Sequence, residues 1–167
     1  MNTRYILGIS AGFHDSAVSV VRSDGSILFA GHSERYSKNK NDPDLHPALL
    51  QELSAWHYDT IAFYERPWMH NLQQIISGQQ QWAPWTTGGA LRHHLGDWYQ
   101  KPAKREQSFS HHLSHAAAGF QTSPFDSAAV VVIDAIGELD TISIYRASYN
   151  SRAQAQYQRV WRQRYPH

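Results

Sequence analysis

Three β-strands are predicted in immediate succession within residues 5–31, which read YILGISAGFHDSAVSVVRSDGSILFAG. The apolar runs Tyr5–Ser10, Ala17–Arg22 and Ile27–Gly31 are rich in Ile, Val and Leu and are separated by short polar segments. Asp24-Gly25, between the last two runs, is a strong signal for a two-residue hairpin. Because short connections join antiparallel neighbours, this stretch predicts an antiparallel meander.

A helix and a fourth strand are expected after the meander. Pro47 suits the first position of a helix, where its missing N–H costs nothing. The residues that would form the apolar face of this helix are Leu49, Leu50, Leu53 and Trp56. Thr60–Tyr64 then has the composition of a strand. The order β-β-β-α-β, with another helix later in the chain, predicts an α/β fold with a mixed sheet.

Residues 66–104 differ in character from the rest of the chain. They contain four tryptophans and a glutamine tract at Gln79–Gln81, and a short helix is expected around Leu72–Ile76. We interpret this segment as an insertion packed on the β-β-β-α-β unit. Tryptophans beside basic residues can stack on nucleic-acid bases. A net charge of only +1 instead favours tryptophans that pack on the rest of the protein or line a surface that faces a substrate.

The composition indicates one globular domain and excludes several classes. The chain has 167 residues, of which 41% are hydrophobic and 17% are charged, and it has no basic cluster typical of nucleic-acid binding. The absence of cysteine excludes disulfides and thiolate chemistry. No apolar run has the length of a membrane span, and the N-terminus has the pattern of a strand, not a signal peptide. We therefore expect a cytoplasmic protein without a membrane or nucleic-acid partner.

A further helix is predicted at residues 110–120, which read SHHLSHAAAGF. Ser110 suits the N-cap position, and the three consecutive alanines are strong helix formers. His111 and His115 are four residues apart, so they lie on one face, whereas His112 lies about 100° further round. Two imidazoles on one helical face can hold one metal ion between them.

A third candidate metal ligand is Asp134, which ends the apolar run 128–133. We expect this run to be a fully buried strand, and α/β folds present ligand groups at such strand ends. A set of His111, His115 and Asp134 suits a divalent metal such as iron, manganese or zinc. A metal-free alternative stays open, because eleven histidines make a chance His-x-x-x-His spacing common and a strand-end aspartate often caps a turn.

Two polar loops carry candidate substrate-binding residues. The loop 10–16 contains Gly12, whose neighbourhood can turn backbone N–H groups toward an anion, and also His14 and Asp15, which can bond a substrate. The connector after the third strand contains Arg35 and Lys38, which can bind phosphate. On the local sequence alone, an ordinary turn and a solvated loop are the more common explanations of the same residues.

Five stretches, spread in order over nearly the whole chain, resemble the N-terminal part of O-carbamoyltransferases of the nodulation-protein and tobramycin-carbamoylating type. These stretches are Ile6-Leu-Gly-Ile-Ser-Ala-Gly-Phe-His-Asp-Ser-Ala-Val, Glu34-Arg-Tyr-Ser-Lys38, His111-His-Leu-Ser-His-Ala-Ala, Ser123-Pro-Phe-Asp126 and Asp134-Ala-Ile-Gly-Glu138. The His-His-Leu-Ser-His block followed by Ser-Pro-Phe-Asp is the most specific of them.

The resemblance implies an actin-like, sugar-kinase-like ATPase half-domain of the order β-β-β-α-β-α. It implies that carbamoyl phosphate and ATP give carbamoyl-adenylate in a YrdC-like domain, and that the actin-like domain transfers the carbamoyl group to a hydroxyl of a small molecule. By position, His111, His115 and Asp134 would bind a divalent metal, with iron preferred over manganese or zinc. His14 would lie near the carbamoyl group, with Gly12, Asp15, Arg35 and Lys38 around the substrate.

The chain departs from the family pattern in two ways. Ala135 replaces a glycine of the usual Asp-Gly-Val-Gly-Glu, which is expected to alter how closely the backbone approaches a ligand. The 167 residues also lack the second half of the actin-like domain and the YrdC-like domain. We therefore expect a fragment, a truncated gene product or one piece of a split enzyme that is inactive alone; in the last case a second chain would supply the missing half. The alternatives are a non-catalytic interaction module and an enzyme of the tRNA threonylcarbamoyl-adenosine type.

Overall fold

The computed structural model describes residues 4–78, 83–99 and 103–165, and these described residues form eight strands and five α-helices. The strands are β1 (Tyr5–Ser10), β2 (Ala17–Arg22), β3 (Ile27–His32), β4 (Thr60–Phe63), β5 (Arg105–Ser108), β6 (Ser127–Gly137), β7 (Asp140–Tyr149) and β8 (Ala155–Arg164). The helices are α1 (Glu34–Ser37), α2 (Pro47–Glu52), α3 (Pro67–Ser77), α4 (Thr87–Leu95) and α5 (His111–Gln121), with 3₁₀ turns at Leu53–Ala55 and Gly96–Trp98. None of the described helices is both long and apolar enough to cross a membrane.

The first sheet has five strands in the order β3-β2-β1-β4-β5. The pairs β1–β2 and β2–β3 are antiparallel, whereas β4 pairs in parallel with β1 and with β5. The predicted meander and the mixed α/β sheet are therefore confirmed. The hairpin prediction was one residue too short, because the Arg22 amide donates to Ser26 O and so encloses three residues. Gly25, at φ +91°, supplies the left-handed conformation that such a loop needs.

Helices α2 and α4 cover one face of this sheet and close the main core. Leu49 of α2, Leu53 of the following 3₁₀ turn, and Leu91 of α4 are fully buried with Leu7 of β1. Pro47 begins α2 as predicted, and His46 caps it by accepting from the Ala48 amide. The segment 66–104 thus contributes to the core through α4, a helix that the sequence did not indicate. The Gln79–Gln81 tract and Trp82 lie outside the described residues.

The second sheet consists of β6, β7 and β8 in antiparallel order, and α5 packs against its inner face. Ala116 of α5 and Tyr145 of β7 are buried there. The prediction that residues 128–133 form a fully buried strand was wrong, because Val131 is 56% exposed and Ile133 is 76% exposed. An antiparallel sheet packs only one face here, so alternate residues of β6 point away from the core.

Candidate metal centre

Helix α5 begins directly after β5 and carries the predicted histidine pair. Ser110 occupies the N-cap position in an extended conformation, although its side chain makes no capping bond. The Ser114 hydroxyl instead donates to the carbonyl of Tyr64 over 2.7 Å, which fixes the first turn of α5 to the end of β4. His111 and His115 therefore lie at a defined place between the two sheets.

His111, His115 and Asp134 converge as the sequence predicted. The two Nε2 atoms of the histidines lie 3.0 Å apart. Asp134 Oδ2 lies 2.8 Å from His111 Nε2 and 3.9 Å from His115 Nε2. Ligand atoms about 2.1 Å from a shared metal ion lie about 3–3.5 Å from one another, so these separations fit one ion with small adjustments. Among the described residues, these three side chains form the cluster whose ligand atoms all lie within 4.8 Å of one another and could hold a metal ion.

An interruption of the β6–β7 ladder places Asp134. Pairing is regular up to Ile133 and resumes at Gly137, so Asp134 stands in an irregular stretch of β6. Its Oδ1 accepts a hydrogen bond from the Ala135 amide over 2.7 Å. Because that bond holds one carboxylate oxygen on the backbone, the other oxygen is turned toward the imidazoles.

Gly137 is the glycine that permits close packing at this site. A Cβ atom at position 137 would lie 2.6 Å from Cδ2 of His111 and 2.6 Å from Cδ2 of His112. Ala135, which replaces the other glycine of the family pattern, is exposed, and its amide donates to the Asp134 carboxylate. The chain therefore keeps Gly137, the glycine that the close approach of the His111 and His112 rings requires.

The electrostatic environment favours the neutral form of His111. Burial lowers the pKa of His111, the His115 ring lowers it further, and the Asp134 carboxylate offsets part of the decrease. A metal ligand must offer an unprotonated nitrogen, so this shift favours binding. His112 does not join the cluster, because it is buried behind Gly137 with its Nδ1 2.8 Å from Ser143 Oγ. His111, His115 and Asp134 therefore fit a divalent metal in donor type and spacing.

Three neighbouring residues that the sequence did not single out also shape the site. Arg66, just before α3, bonds the carboxylate of Glu138 through its backbone amide at 2.9 Å and its guanidinium. Glu65 lies between His70 and His111, and burial raises the pKa of its carboxyl to about 7. Glu65 and Arg66 follow the end of β4. A position at the end of a strand was also the signal by which the sequence predicted Asp134 as a metal ligand, so the same signal could have found these two residues.

Backbone hydrogen bonds to Asp42 and Pro43 hold the loop 10–16 in place. The Gly12 amide donates to Pro43 O over 2.9 Å and the Ser16 amide donates to Asp42 O over 2.8 Å, so neither is directed at an anion. Gly12 has φ +100°, and a Cβ there would lie 2.6 Å from Cε1 of His94. His14 is exposed, and its Nδ1 lies 2.8 Å from Asp15 Oδ2.

Arg35 and Lys38 lie on and just after the short helix α1. The Lys38 ammonium donates to the carbonyl of Arg35 over 2.6 Å. Arg35 also lines an open groove of about 910 Å³, and Ser114 and Ala118 of α5 line the same groove. Of the substrate-binding candidates, Arg35 is therefore the one that shares a groove with the histidine helix, whereas Gly12 lines a separate small pocket with Glu65 and His94.

Comparison with known proteins identifies a family. Residues 59–167 match the family described as carbamoyltransferase N-terminus. An uncharacterized protein of Synechocystis sp. is 32% identical over 171 residues, and the match covers 87% of this chain but 28% of the relative. The chain thus spans well under half the length of that curated relative.

Two solved structures from Pseudomonas aeruginosa are similar to the chain. An uncharacterized protein with similarity to peptidase YEAZ aligns over 93% of this chain and 63% of its own, at 14% identity and TM-score 0.39. YeaZ aligns over 92% and 65%, at 16% identity and TM-score 0.40. Both scores are low, so neither alignment carries an argument. The match over residues 59–167, which includes α5 and Asp134, shows the family: the chain belongs to the carbamoyltransferase N-terminus family.

Proposed function

We propose that this chain is the metal-binding part of an enzyme that transfers a carbamoyl group to a hydroxyl of a small-molecule acceptor. The observation that carries the proposal is the convergence of His111, His115 and Asp134 within 4.8 Å, in a member of the carbamoyltransferase N-terminus family. Iron is the preferred metal, because two imidazoles and one carboxylate with open positions are typical ligands of iron(II).

The protein side chains would prepare this site for the reaction. The bound divalent metal would supply Lewis-acid polarisation of the carbamoyl carbonyl oxygen. Burial keeps His111 neutral, and the backbone bond of Asp134 holds the carboxylate in place. Both features would hold the donor atoms in position before a metal binds, which reduces the cost of ordering them.

His14 is the residue that we propose for proton transfer near the carbamoyl group. Its Nδ1 faces Asp15 at 2.8 Å, an arrangement that fixes the tautomer and leaves Nε2 to face a substrate. Arg35 would hold an anionic part of the substrate in the groove that it shares with α5. We propose that Asp15 and Lys38 contact the same substrate, and that Gly12 acts only through the shape of the loop 10–16, because it lines a separate pocket.

We infer an actin-like half-domain from the sheet order β3-β2-β1-β4-β5, which supports the expected β-β-β-α-β-α pattern. ATP and carbamoyl phosphate would be consumed, by way of carbamoyl-adenylate, in polypeptide beyond these 167 residues, joined to this chain or supplied by a second one. Exposed apolar residues on the outer face of β6, Val131 and Ile133, support such a neighbour.

A chimaera tests the proposed function directly. This chain would replace the corresponding residues of an active carbamoyltransferase of the same family. With ATP, carbamoyl phosphate and a hydroxyl-bearing acceptor, the chimaera should add the mass of one carbamoyl group, whereas the chain alone should add none. The matched control is the chimaera carrying Asp134→Asn, which should be inactive. A folded, metal-loaded chimaera without transfer activity would contradict the proposal.

A further inference from the structure

Glu65 is a mostly buried carboxylate that the proposed reaction does not use. It follows β4 directly, and only 15% of its side chain is exposed. Burying a carboxylate costs free energy unless polar partners compensate for the lost hydration. The partners that face Glu65 therefore indicate why it occupies this position.

Both carboxylate oxygens of Glu65 face imidazole nitrogens. Oε1 lies 3.6 Å from Nδ1 of His70, which belongs to α3, and Oε2 lies 4.0 Å from Nδ1 of His111. His70 in turn lies 3.4 Å from the Gln74 side-chain amide through its Nε2. Glu65 thus stands between α3 on one side and the metal-binding helix on the other.

His111 has a polar atom that needs such a partner. Its Nδ1 is buried and has no hydrogen-bond partner among the described residues, whereas its Nε2 faces His115 and Asp134. The ring of Tyr64 packs edge-on against the His111 ring, with centroids 5.4 Å apart. The Tyr64 hydroxyl also donates a hydrogen bond to the Glu65 carboxylate. A movement of about 1 Å would bring the Glu65 oxygen that now lies 4.0 Å from His111 Nδ1 within hydrogen-bond distance of it.

We propose that Glu65 is the positioning residue of the metal centre, which accepts a hydrogen bond from His111 Nδ1–H. This inference rests on the proposed metal-binding function. Without a metal, His111 Nε2 lies 2.8 Å from the Asp134 carboxylate and donates to it. Once a metal occupied Nε2, the ring proton would lie on Nδ1, and Glu65 would accept the hydrogen bond there. Carboxylates in this role fix the tautomer and the ring orientation of a ligating histidine, and their loss typically weakens metal binding by about 10–100-fold.

Cobalt(II) titration of the purified chain tests the inference without any assay of activity. We expect Glu65→Gln to weaken Co²⁺ binding by about 10-fold and Glu65→Ala by up to about 100-fold. Glu52→Gln changes an exposed glutamate on α2 and is the matched control, for which unchanged affinity is expected. Proton NMR of the Co²⁺ form should show a shifted His111 N–H resonance in the wild type that exchanges faster with solvent in both Glu65 variants.

The tautomer of metal-free His111, read from its ¹⁵N shifts, separates this inference from the metal proposal. A wild type that binds no Co²⁺ would overturn the metal centre. In Asp134→Ala, which removes the carboxylate that lies 2.8 Å from Nε2, metal-free His111 should still carry the proton on Nδ1 and should lose this preference when Glu65→Ala or Glu65→Gln is added. Wild-type affinity in both Glu65 variants, with an unchanged tautomer when they are added to Asp134→Ala, would overturn the role of Glu65. If Glu65→Ala does not fold, the Co²⁺ affinity and the His111 tautomer of the uncharged, isosteric variant Glu65→Gln test the role of Glu65.

Discussion

Arg66 and Glu138, 72 residues apart in the chain, form the contact that ties the two sheets together beside the histidine cluster. The Arg66 backbone amide and its Nε donate to the Glu138 carboxylate over 2.9 Å and 3.2 Å. Glu138 is buried and has φ +59°, a conformation that costs a non-glycine residue free energy. The bonds from Arg66 therefore stabilise the turn between β6 and β7 that follows Gly137.

Arg66→Ala should destabilise the fold, because it leaves the buried Glu138 carboxylate with only a backbone partner. Removing one member of a buried pair costs about 3–5 kcal/mol, and we expect about 2–3 kcal/mol here since the Arg66 side chain is 36% exposed. Urea unfolding measures the loss. The control is Arg22→Ala, which breaks the exposed pair with Asp24 and should cost less than about 1 kcal/mol. An equal decrease in the free energy of unfolding in the two variants would show that the Arg66–Glu138 contact stabilises the fold no more than an exposed ion pair does.

Gly137→Ala should disturb the metal centre through packing alone. The new Cβ would meet the rings of His111 and His112 at 2.6 Å, so one or both imidazoles must move. We expect a stability loss of about 1–3 kcal/mol and weaker Co²⁺ binding. Gly119→Ala is the matched control, because the position lies in α5 with open space around it and alanine favours helices by about 1 kcal/mol. Co²⁺ affinity equal to that of the wild type in Gly137→Ala would contradict this account of the glycine.

His94 should make the fold less stable in mild acid. Burial lowers the pKa of His94 from 6.5 to about 4, and the neighbouring His93 ring adds to the shift. Between these values the unfolded chain binds a proton that the folded protein excludes, so stability falls as the pH falls. From this residue alone we expect a loss of about 1–2 kcal/mol between pH 7 and about pH 5.

His94→Gln removes this titration, so its urea midpoint should fall less on acidification than that of the wild type. His57→Gln, at an exposed histidine, should follow the wild type. Identical pH dependence in His94→Gln and the wild type would exclude His94 as a source of acid sensitivity.

Local patterns in the sequence were sufficient for most strands and for the histidine helix. Tyr5–Ser10 and Ala17–Arg22 were predicted with the bounds that the structure shows, because alternating burial on the first sheet leaves a clear apolar pattern. The His111–His115 spacing also located two members of the cluster, since a helix brings residues four apart together. These features depend on neighbours in the chain, which a single sequence displays.

Features set by distant contacts were not predictable in the same way. Helix α4 (Thr87–Leu95) was missed because two glycines and two histidines weaken its local signal, while its burial comes from packing on the sheet. The burial of β6 was overestimated because Val and Ile favour strands whether or not both faces are covered. The contact of Arg66 with Glu138 joins residues too far apart in sequence for any pattern to reveal it.

The most direct test of the central claim is the metal content of the purified chain after loading with Fe²⁺ without oxygen and removal of excess ion. We predict one ion per chain, lost in His111→Ala, His115→Ala and Asp134→Asn, and retained in the control His57→Ala. Folding of each variant would be verified by circular dichroism. If the wild type is folded and holds no metal, or if the three variants hold as much as the wild type, then His111, His115 and Asp134 do not form the metal centre proposed here.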